Sequence, residues 1–431
     1  MLLTPRRLGA ASACITVLLT TCTCAPPTPD DAGHDAGRGW LDSGSRDAAR
    51  PDATRDVGRD APEGGPMDGG PNDPEWVALD GQPDGVLLYV ARHPERVLHV
   101  DWDSCGSGCL RAACDGCSFF RGFVDDTATF ARVQRAGPEQ LAALVNVATG
   151  TPVAAWQQWD NDEPIGRLAF PAIGGGRVAI SGKSYPAIGS DLISIWVAPV
   201  GEAATRLTPV YQLETSSLIV NLNLVSASHQ AWTVSPTNAL FLRDDLGGFA
   251  SFPGPGRDGM IQSPVLVADR VFYELWADHI RVWTGTVEEA PSALIDATPG
   301  EVRNFHTDGR TIVWLQGYDY DWDARRFARL ELWTSPFATT ATELRPRLVR
   351  PFPELYQGAL GGHWLASQSA GYEMDVYDLN DGSVRHWTPP MDGMVRDVPL
   401  YATDDEILVT TNVGIFRIDP NTLPIVDPGP P

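Results

Sequence analysis

A pair of short apolar strands recurs along most of this chain, and this repeat constrains the fold more than any other feature. In each copy a first strand is followed by a turn and by a second strand with an aromatic residue near its centre. The clear copies are 177–181 with 193–199, 230–234 with 239–244, 270–275 with 279–285, 311–316 with 330–336, 363–367 with 374–379, and 406–410 with 414–419. Consecutive copies lie about 40–50 residues apart, which is the period of β-propeller blades.

The composition of the strands indicates that both of their faces are buried. Residues 311–315 read Thr-Ile-Val-Trp-Leu, without the alternation of polar and apolar residues expected of a sheet that faces water on one side. A propeller blade is covered by a neighbouring blade on each face, whereas a sandwich usually buries one face of each sheet. The sequence therefore predicts an all-β fold, a β-propeller.

Two weaker strand pairs precede the clear copies, at 86–91 with 97–102 and at 128–133 with 141–148. Counting one blade for each pair gives eight blades, and seven remains the alternative because these two pairs are irregular. We expect N-terminal and C-terminal strands to join where the ring closes, because an open ring would leave strand edges unpaired.

The composition of the first 75 residues predicts an organisation different from that of the repeats. Arg6 and Arg7 precede an apolar run at 8–19 that is too short to span a bilayer, so residues 1–21 read as a signal peptide. Residues 22–75 are rich in Asp, Gly and Pro and contain almost no apolar residues, which predicts a disordered tether. The propeller domain is expected at 76–431.

Three segments carry resemblances to known bacterial families. Residues 19–22 (Leu-Thr-Thr-Cys) resemble a lipobox, which implies a lipoprotein acylated at Cys22, with Thr21 departing from the small residue that the family prefers. Residues 307–310 (Thr-Asp-Gly-Arg) and 379–382 (Leu-Asn-Asp-Gly) resemble turns of TolB-like periplasmic propeller repeats. Together these resemblances imply an exported protein that is lipid-anchored to the cell envelope. Thr23 implies the outer membrane, with the domain facing either the periplasm or the exterior.

The charge of the chain excludes some partners. The formal net charge is −23, and Lys183 is the only lysine. Nucleic acids and anionic membrane surfaces are bound by clustered basic residues, so neither is an expected partner, and membrane contact is expected through the lipid anchor alone.

Four cysteines are close together in a Gly-rich stretch: Cys105, Cys109, Cys114 and Cys117. In an oxidising compartment such a set predicts two disulfides, whose connectivity the sequence does not determine. The alternative is a tetrathiolate metal site, which the final Cys-x-x-Cys favours, although metal sites usually separate two such pairs more widely.

No arrangement of residues predicts catalysis or a cofactor, and none of the eight histidines has metal-ligand spacing. Trp156, Trp159, Trp276 and Trp322 lie near strand ends or turns, where exposed rings could contact a sugar or a protein. The sequence therefore favours a non-catalytic module that binds or scaffolds an envelope protein or glycan. The alternative is an extracellular propeller enzyme, a glycan hydrolase or lyase, with its site at the central channel.

Overall fold

The structure is a computed structural model, and it describes residues 76–79 and 87–429 apart from short internal gaps. The gaps are 107–108, 114–116, 126–127, 136–140, 161–162, 165–170, 188–189, 204–206, 216–218, 236–238, 253–258, 278, 322–325, 353–357, 369–372, 390–400 and 412–413. The predicted signal peptide at 1–21 and the predicted tether at 22–75 lie outside the described residues.

Strands make up most of the described chain. They are β1 (Trp76–Ala78), β2 (Leu87–Ala91), β3 (Asp101–Gly106), β4 (Cys109–Ala113), β5 (Cys117–Asp125), β6 (Ala128–Arg135), β7 (Leu141–Asn146), β8 (Pro152–Asp160), β9 (Glu163–Pro164), β10 (Ala172–Gly174), β11 (Arg177–Ala187), β12 (Ser190–Pro199), β13 (Thr208–Thr215), β14 (Ile219–Val225), β15 (His229–Ser235), β16 (Ala239–Asp244), β17 (Phe249–Phe252), β18 (Met260–Val267), β19 (Arg270–Trp276), β20 (Ile280–Gly285), β21 (Ser292–Ile295), β22 (Glu301–Thr307), β23 (Thr311–Asp321), β24 (Arg326–Pro336), β25 (Arg347–Phe352), β26 (Gly358–Gly361), β27 (Trp364–Gln368), β28 (Met374–Asp378), β29 (Val384–Trp387), β30 (Tyr401–Ala402), β31 (Ile407–Thr411), β32 (Gly414–Ile418) and β33 (Ile425–Asp427). Short 3-10 helices occur at Pro94–Arg96 and Pro420–Thr422. Within the described residues, no helix has the length and apolar character needed to cross a lipid bilayer.

The strands form seven antiparallel sheets, and each sheet is one blade of a seven-bladed β-propeller. Blade 1 contains β5–β8, extended by β2 and β1 beyond β8, and the two-residue β9 also pairs with β8. Blades 2 to 5 are β10–β13, β14–β17, β18–β21 and β22–β25, and blade 6 is β26–β29 with β33 outside β29. Blade 7 contains β30–β32 with β4 and β3 outside β32. The predicted all-β propeller is therefore confirmed.

The count of eight blades is wrong, and seven is correct. The pair at 86–91 and 97–102 does not form a blade, because its two halves join different sheets. Leu87–Ala91 pairs with β8 at the outer edge of blade 1, and Trp102 lies in β3, which pairs with β4 in blade 7. A strand sequence reveals its local conformation, but its pairing partner is selected by the rest of the sheet.

Strands from both ends of the chain close the ring, as the sequence predicted. In blade 7 the last strand of the chain's final hairpin, β32, pairs with β4 from the N-terminal part, with Phe416 opposite Arg111 and Ile418 opposite Cys109. Arg417 on β32 also forms an ion pair of 2.6 Å with Glu406, the residue before β31. This composite sheet packs against blade 1, where Ala131 shares a buried core with Tyr401 and Leu408.

Apolar side chains fill the spaces between neighbouring blades. Trp314 and Phe272 belong to the core between blades 4 and 5, and Phe416 and Trp364 belong to the core between blades 6 and 7. All four are almost fully buried. Large aromatic side chains bury 150–250 Å² each, so these inter-blade cores supply much of the hydrophobic stabilisation.

Candidate functional site

The ring has two faces that differ in how the strands are connected. One face carries tight turns between the first and second strands of several blades, such as Asp308–Gly309 in blade 5 and Gly362–His363 in blade 6. We call it the turn face, and we call the opposite face the loop face. On the turn face the blades are linked by polar contacts: Gly362 N–H donates to Asp308 Oδ2 at 3.0 Å, and His363 Nδ1 lies 3.1 Å from Asp404 Oδ1.

The described chain begins and ends towards the turn face. Trp76 pairs with Ala91, at the end of β2 that points to the turn face. At the other terminus β33 runs from the loop face to the turn face, because Asp427 pairs with Val384 at the start of β29. The loop face therefore lies on the side of the domain away from both of these ends.

On the loop face, blades 4 and 5 carry aromatic and arginine side chains that stack on one another in two groups. We call these residues together the rim cluster, and its members are Trp276, Arg303, Tyr320 and Phe327 in the first group and Tyr318 and Arg329 in the second. The guanidinium of Arg303 lies 4.2 Å from the centre of the Trp276 ring and 5.5 Å from that of Phe327. Arg329 lies 4.1 Å from the centre of the Tyr318 ring, and the rings of Tyr320 and Phe327 meet edge to face at 4.8 Å.

The extension of one hairpin beyond its neighbouring strands brings these residues together. Strands β23 and β24 each have eleven residues, whereas β22 has seven and β25 has six. The last residue of β23 that pairs with β22 is Gly317, opposite Glu301. Beyond this point β23 and β24 pair only with each other in the described part of the chain, so the hairpin projects from the loop face.

Gly317 makes room for one of the aromatic rings. A Cβ atom at this position would lie 2.5 Å from Cδ1 of Phe327, which is closer than real Cβ contacts allow. The absence of a side chain lets the Phe327 ring lie directly against the β23 backbone. The ring is thereby held within reach of Arg303.

A buried carboxylate, that of Glu274 in blade 4, contacts the rim cluster. Glu274 accepts a hydrogen bond of 2.7 Å from Phe305 N–H and one of 3.1 Å from Trp276 Nε1–H. Burial raises the pKa of the Glu274 carboxyl, and these two hydrogen bonds and the charge of Arg303 oppose that rise. Arg303 itself is held by an ion pair of 2.9 Å with Glu301. The Trp276 ring and the Arg303 guanidinium are therefore fixed on two sides.

Another carboxylate, that of Glu331 in blade 5, contacts the stacked pair formed by Arg329 and Tyr318. Glu331 Oε1 lies 3.5 Å from Arg329 Nε, and its Oε2 accepts a hydrogen bond of 3.1 Å from Trp333 Nε1–H. Burial is the main cause that raises the pKa of the Tyr318 hydroxyl, and Glu331 adds to the rise. The Arg329 side chain is still 60% exposed, so its guanidinium faces solvent on the loop face.

A small cavity lies between blades 5 and 6 and is separate from the rim cluster. It has room for about one water molecule. Its lining consists of Asn304, His306, Val313, Leu315, Leu332, Phe352, Gly358, Leu365 and Ser367. Burial lowers the pKa of the His306 imidazole to about 4, so this side chain is neutral at pH 7.

The structure describes only some of the cysteines that the sequence singled out. Cys105 and Cys109 form a disulfide that joins β3 to β4, with their Cα atoms 5.3 Å apart. Their sulfurs are therefore not available as thiolate ligands. Cys117 is also disulfide-bonded, whereas Cys114 and the lipidation candidate Cys22 lie outside the described residues.

The four tryptophans that the sequence singled out differ in exposure. Trp156 is fully buried between blades 1 and 2, so the expectation that it contacts a ligand is wrong for this residue. Trp276 is half-buried in the rim cluster, consistent with its predicted place at a strand end. Trp159 lies in β8, and Trp322 lies outside the described residues.

Sequence reasoning missed Arg303, Phe327 and Arg329. The repeat placed the paired strands of blade 5 at 311–316 and 330–336, and so omitted the part of the hairpin that projects. Tyr318 and Tyr320, two residues apart and followed by Phe327, were the available signal for longer strands. Among the described residues, no group of three or more His, Cys, Asp or Glu side chains is placed to hold a metal ion.

Comparisons with known proteins show similarity of fold only. No protein-family model matches the chain, and no curated protein is similar to it in sequence. The β-propeller domain of Cps50 (Swd1) from Myceliophteria thermophila has 10% identity and a TM-score of 0.43, with 70% of this chain and 99% of that chain covered. YCF48 from Cyanidioschyzon merolae has 9% identity and a TM-score of 0.44, with 73% and 99% covered. A structure from a study of two prolyl endopeptidases has 12% identity and a TM-score of 0.46, with 77% and 51% covered. At these values no function is transferred, and the fold rests on the strand pairing itself.

Proposed function

We propose that this chain is an exported lipoprotein, anchored through Cys22, whose propeller binds another macromolecule of the cell envelope through the rim cluster. The binding is not catalytic. The observation that carries the proposal is the position of the rim cluster on the loop face, away from the ends of the described chain. A domain anchored through its N-terminal segment would present this face to a partner.

The N-terminal segment has the length that such a role requires. Residues 22–75 would form the tether between the acylated cysteine and β1. A flexible chain of this length has a root-mean-square span of about 40 Å, so the domain could reach partners at some distance from the anchor. The lipobox resemblance at 19–22 and the Asp/Gly/Pro-rich composition support this arrangement.

The finer family assignment is part of the same proposal. The two sequences that resemble TolB-like turns, at 307–310 and 379–382, lie in tight turns of blades 5 and 6 on the turn face. In the first of these turns Asp308 Oδ1 accepts hydrogen bonds of 2.8 Å from both Arg310 N–H and Thr311 N–H. We infer a periplasmic-type propeller repeat from this agreement between turn sequence and turn geometry.

Two measurements on the full chain test the proposal. The first is metabolic labelling with a clickable fatty acid, comparing wild type with Cys22→Ser. Label that is present in wild type and absent from the variant supports the anchor, and equal label or none contradicts it.

The second measurement is cross-linking in the intact envelope followed by mass spectrometry. A reproducible partner that is lost when Arg329 and Phe327 are both changed to Ala supports binding through the rim cluster. A partner that both proteins capture equally would contradict the role of this surface.

A further inference from the structure

We propose that the turn between β16 and β17 of blade 3 is a second protein-binding site, whose partner has an apolar pocket bordered by basic groups. This turn lies on the turn face, on the opposite side of the ring from the rim cluster. The inference goes beyond the proposed function, because a propeller with a site on each face connects two partners.

The tip of the turn is apolar. Leu246 is 97% exposed, which is the highest value among the large apolar side chains of the described residues. Three residues further along, Phe249 is 50% exposed, and its ring stacks on that of Phe241 with the centres 5.7 Å apart. Single exposed apolar residues are ordinary on protein surfaces. The contacts that hold this turn therefore decide whether its apolar tip has a role.

Ionic and polar contacts fix the turn on both sides of its tip. The two carboxylate oxygens of Asp245 each lie 3.1 Å from a guanidinium nitrogen of Arg177 in blade 2. Asp245 also accepts a hydrogen bond of 2.9 Å from Gln230 Nε2–H. Within the turn, Asp244 Oδ1 accepts a hydrogen bond of 2.7 Å from Gly248 N–H. The backbone before and after the tip is thus held in one conformation.

Blade 4 supports the same turn from the other side. A Cβ atom on Gly248 would lie 2.6 Å from Cγ1 of Val287, so the glycine lets the turn lie directly against the neighbouring blade. A rigid turn loses few conformations on binding, and more of the contact energy of its side chains then appears as affinity. Contacts with two blades thus hold Leu246 in water in a fixed position, as a preformed contact site requires.

The charges around the tip indicate the border of the partner pocket. Asp245, Glu288 and Glu289 are exposed beside the tip, the two glutamates following Val287 in the adjacent turn of blade 4. Asp245 pairs with Arg177 and Glu289 with Arg270, but these arginine side chains are only 17% and 15% exposed. The exposed charged atoms of this border are therefore mainly carboxylate oxygens, and the complementary surface carries basic groups.

Other classes of partner fit this surface less well. An aliphatic side chain such as that of Leu246 offers a sugar neither a hydrogen bond nor an aromatic face on which to stack. An anionic lipid surface is repelled by the carboxylates beside the tip. A protein pocket satisfies both the apolar tip and its acidic border.

Photo-cross-linking in the intact envelope tests the site. The full chain carries p-benzoylphenylalanine in place of Leu246 or, as the matched control, in place of Ala341. Ala341 is exposed in the corresponding turn of blade 5, between β24 and β25. We expect one discrete protein product at position 246 that is lost when Glu288→Arg is added, and no such product at position 341. No product at position 246, the same products at both positions, or a product that Glu288→Arg leaves unchanged would overturn the inference.

The affinity of the purified full chain for the cross-linked protein then tests the contact itself. We expect Leu246→Asp to weaken binding about tenfold and Ala341→Asp to leave it unchanged. Both positions are exposed, so the melting temperature should stay that of wild type in both variants. Equal affinity of wild type and Leu246→Asp would overturn the inference.

A variant with both Arg329→Ala and Phe327→Ala separates this inference from the proposed function. We expect the product at position 246 to persist in this variant, because the rim cluster lies on the loop face. Loss of the product would mean that one contact involves both faces, which overturns a second site. A product at position 246 without any partner that depends on the rim cluster would contradict the proposed role of that cluster alone. A partner that depends on the rim cluster without a product at position 246 would overturn the second site alone.

Discussion

The carboxylate of Glu274 in blade 4 accepts a hydrogen bond of 2.7 Å from the backbone N–H of Phe305 in blade 5. Phe305 and Asn304 form a bulge in β22, where the pairing register with β23 shifts and Asn304 has a φ of 48°. A bulge leaves backbone groups without their ladder partners. The carboxylate from the neighbouring blade supplies an acceptor at this point, so the irregular strand and the adjacent blade depend on each other.

Replacing Glu274 should therefore destabilise the ring. Glu274→Ala leaves the N–H of Phe305 buried without this acceptor, and we expect a loss of about 2 kcal/mol in the free energy of unfolding. Glu274→Gln keeps an oxygen that can accept from Phe305, so its loss at pH 7 should be smaller. Urea unfolding of the three proteins measures both values, and equal stabilities of Ala and Gln variants would contradict this role of the carboxylate oxygen.

Wild type and Glu274→Gln should also differ in how their stability changes with pH. Burial raises the pKa of Glu274 in the folded state, so the folded protein binds the proton more tightly than the unfolded chain. The stability that the protonated Glu274 carboxyl contributes is fully present below the pKa of this group in the unfolded chain. It is lost as the pH rises through the pKa of the group in the folded protein. We expect wild type to gain stability relative to Glu274→Gln when the pH is lowered from 7 to 4.5. A difference that does not change over this range would contradict the raised pKa.

His306 should produce a pH dependence of the opposite sign. Burial lowers its folded-state pKa to about 4, against an unfolded value of 6.5. The unfolded chain therefore takes up the proton first, and stability is lost as the pH falls from 6.5 to 4. The full shift corresponds to roughly 3 kcal/mol, an upper value because the residue is not entirely enclosed. Unfolding of His306→Phe at both pH values is the measurement, and this component should be absent from the variant.

Gly317→Ala should displace the ring of Phe327. A Cβ would lie 2.5 Å from the ring, and overpacking of this kind costs about 1–3 kcal/mol. We expect a lower melting temperature and loss of the contact between Phe327 and Arg303. The matched control is Gly317→Ala combined with Phe327→Val, in which the smaller side chain should restore most of the stability. If Gly317→Ala alone were as stable as wild type, the Phe327 ring would move without a loss of stability.

Removing the disulfide between Cys105 and Cys109 should weaken the closure of the ring. The bridge lies in the β3–β4 hairpin, and Cys109 pairs directly with Ile418 of β32. Because the bridge encloses a short loop, we expect a loss of about 2 kcal/mol for the double variant to Ser. Unfolding without reductant is the comparison to make, since Cys117 is also disulfide-bonded and reduction would act on both sites. Unchanged stability would mean that strand pairing alone holds the hairpin.

The fold could be predicted from the sequence because its signals are local and repeated. The segment containing Trp314 is apolar on both faces, and copies of it recur at the period of a blade. The blade count could not be fixed in the same way. Residues 87–91 have the pattern of an inner strand, but their pairing with β8 depends on which strand edge remains free after blade 1 has formed.

The rim cluster was only partly predictable for the same reason. Trp276 stands out in the sequence as an aromatic residue at the end of a strand. Its partners Arg303 and Phe327 lie in other strands, β22 and β24, and no local pattern connects the three positions. They meet because blades 4 and 5 pack side by side and because Gly317 lets the Phe327 ring approach the backbone.

The composite blade 7 has a consequence for how the protein is made. Its outer strands β3 and β4 are synthesised well before their partner β32, which begins at Gly414, 300 residues after β4 ends at Ala113 (residues 114–413 lie between them). The early hairpin must wait with one edge unpaired until β32 has emerged. Ring closure is therefore a late event in biosynthesis, and a chain interrupted before residue 414 would leave six blades beside an unfinished seventh. Such truncated products would expose a strand edge that quality-control proteases and chaperones recognise.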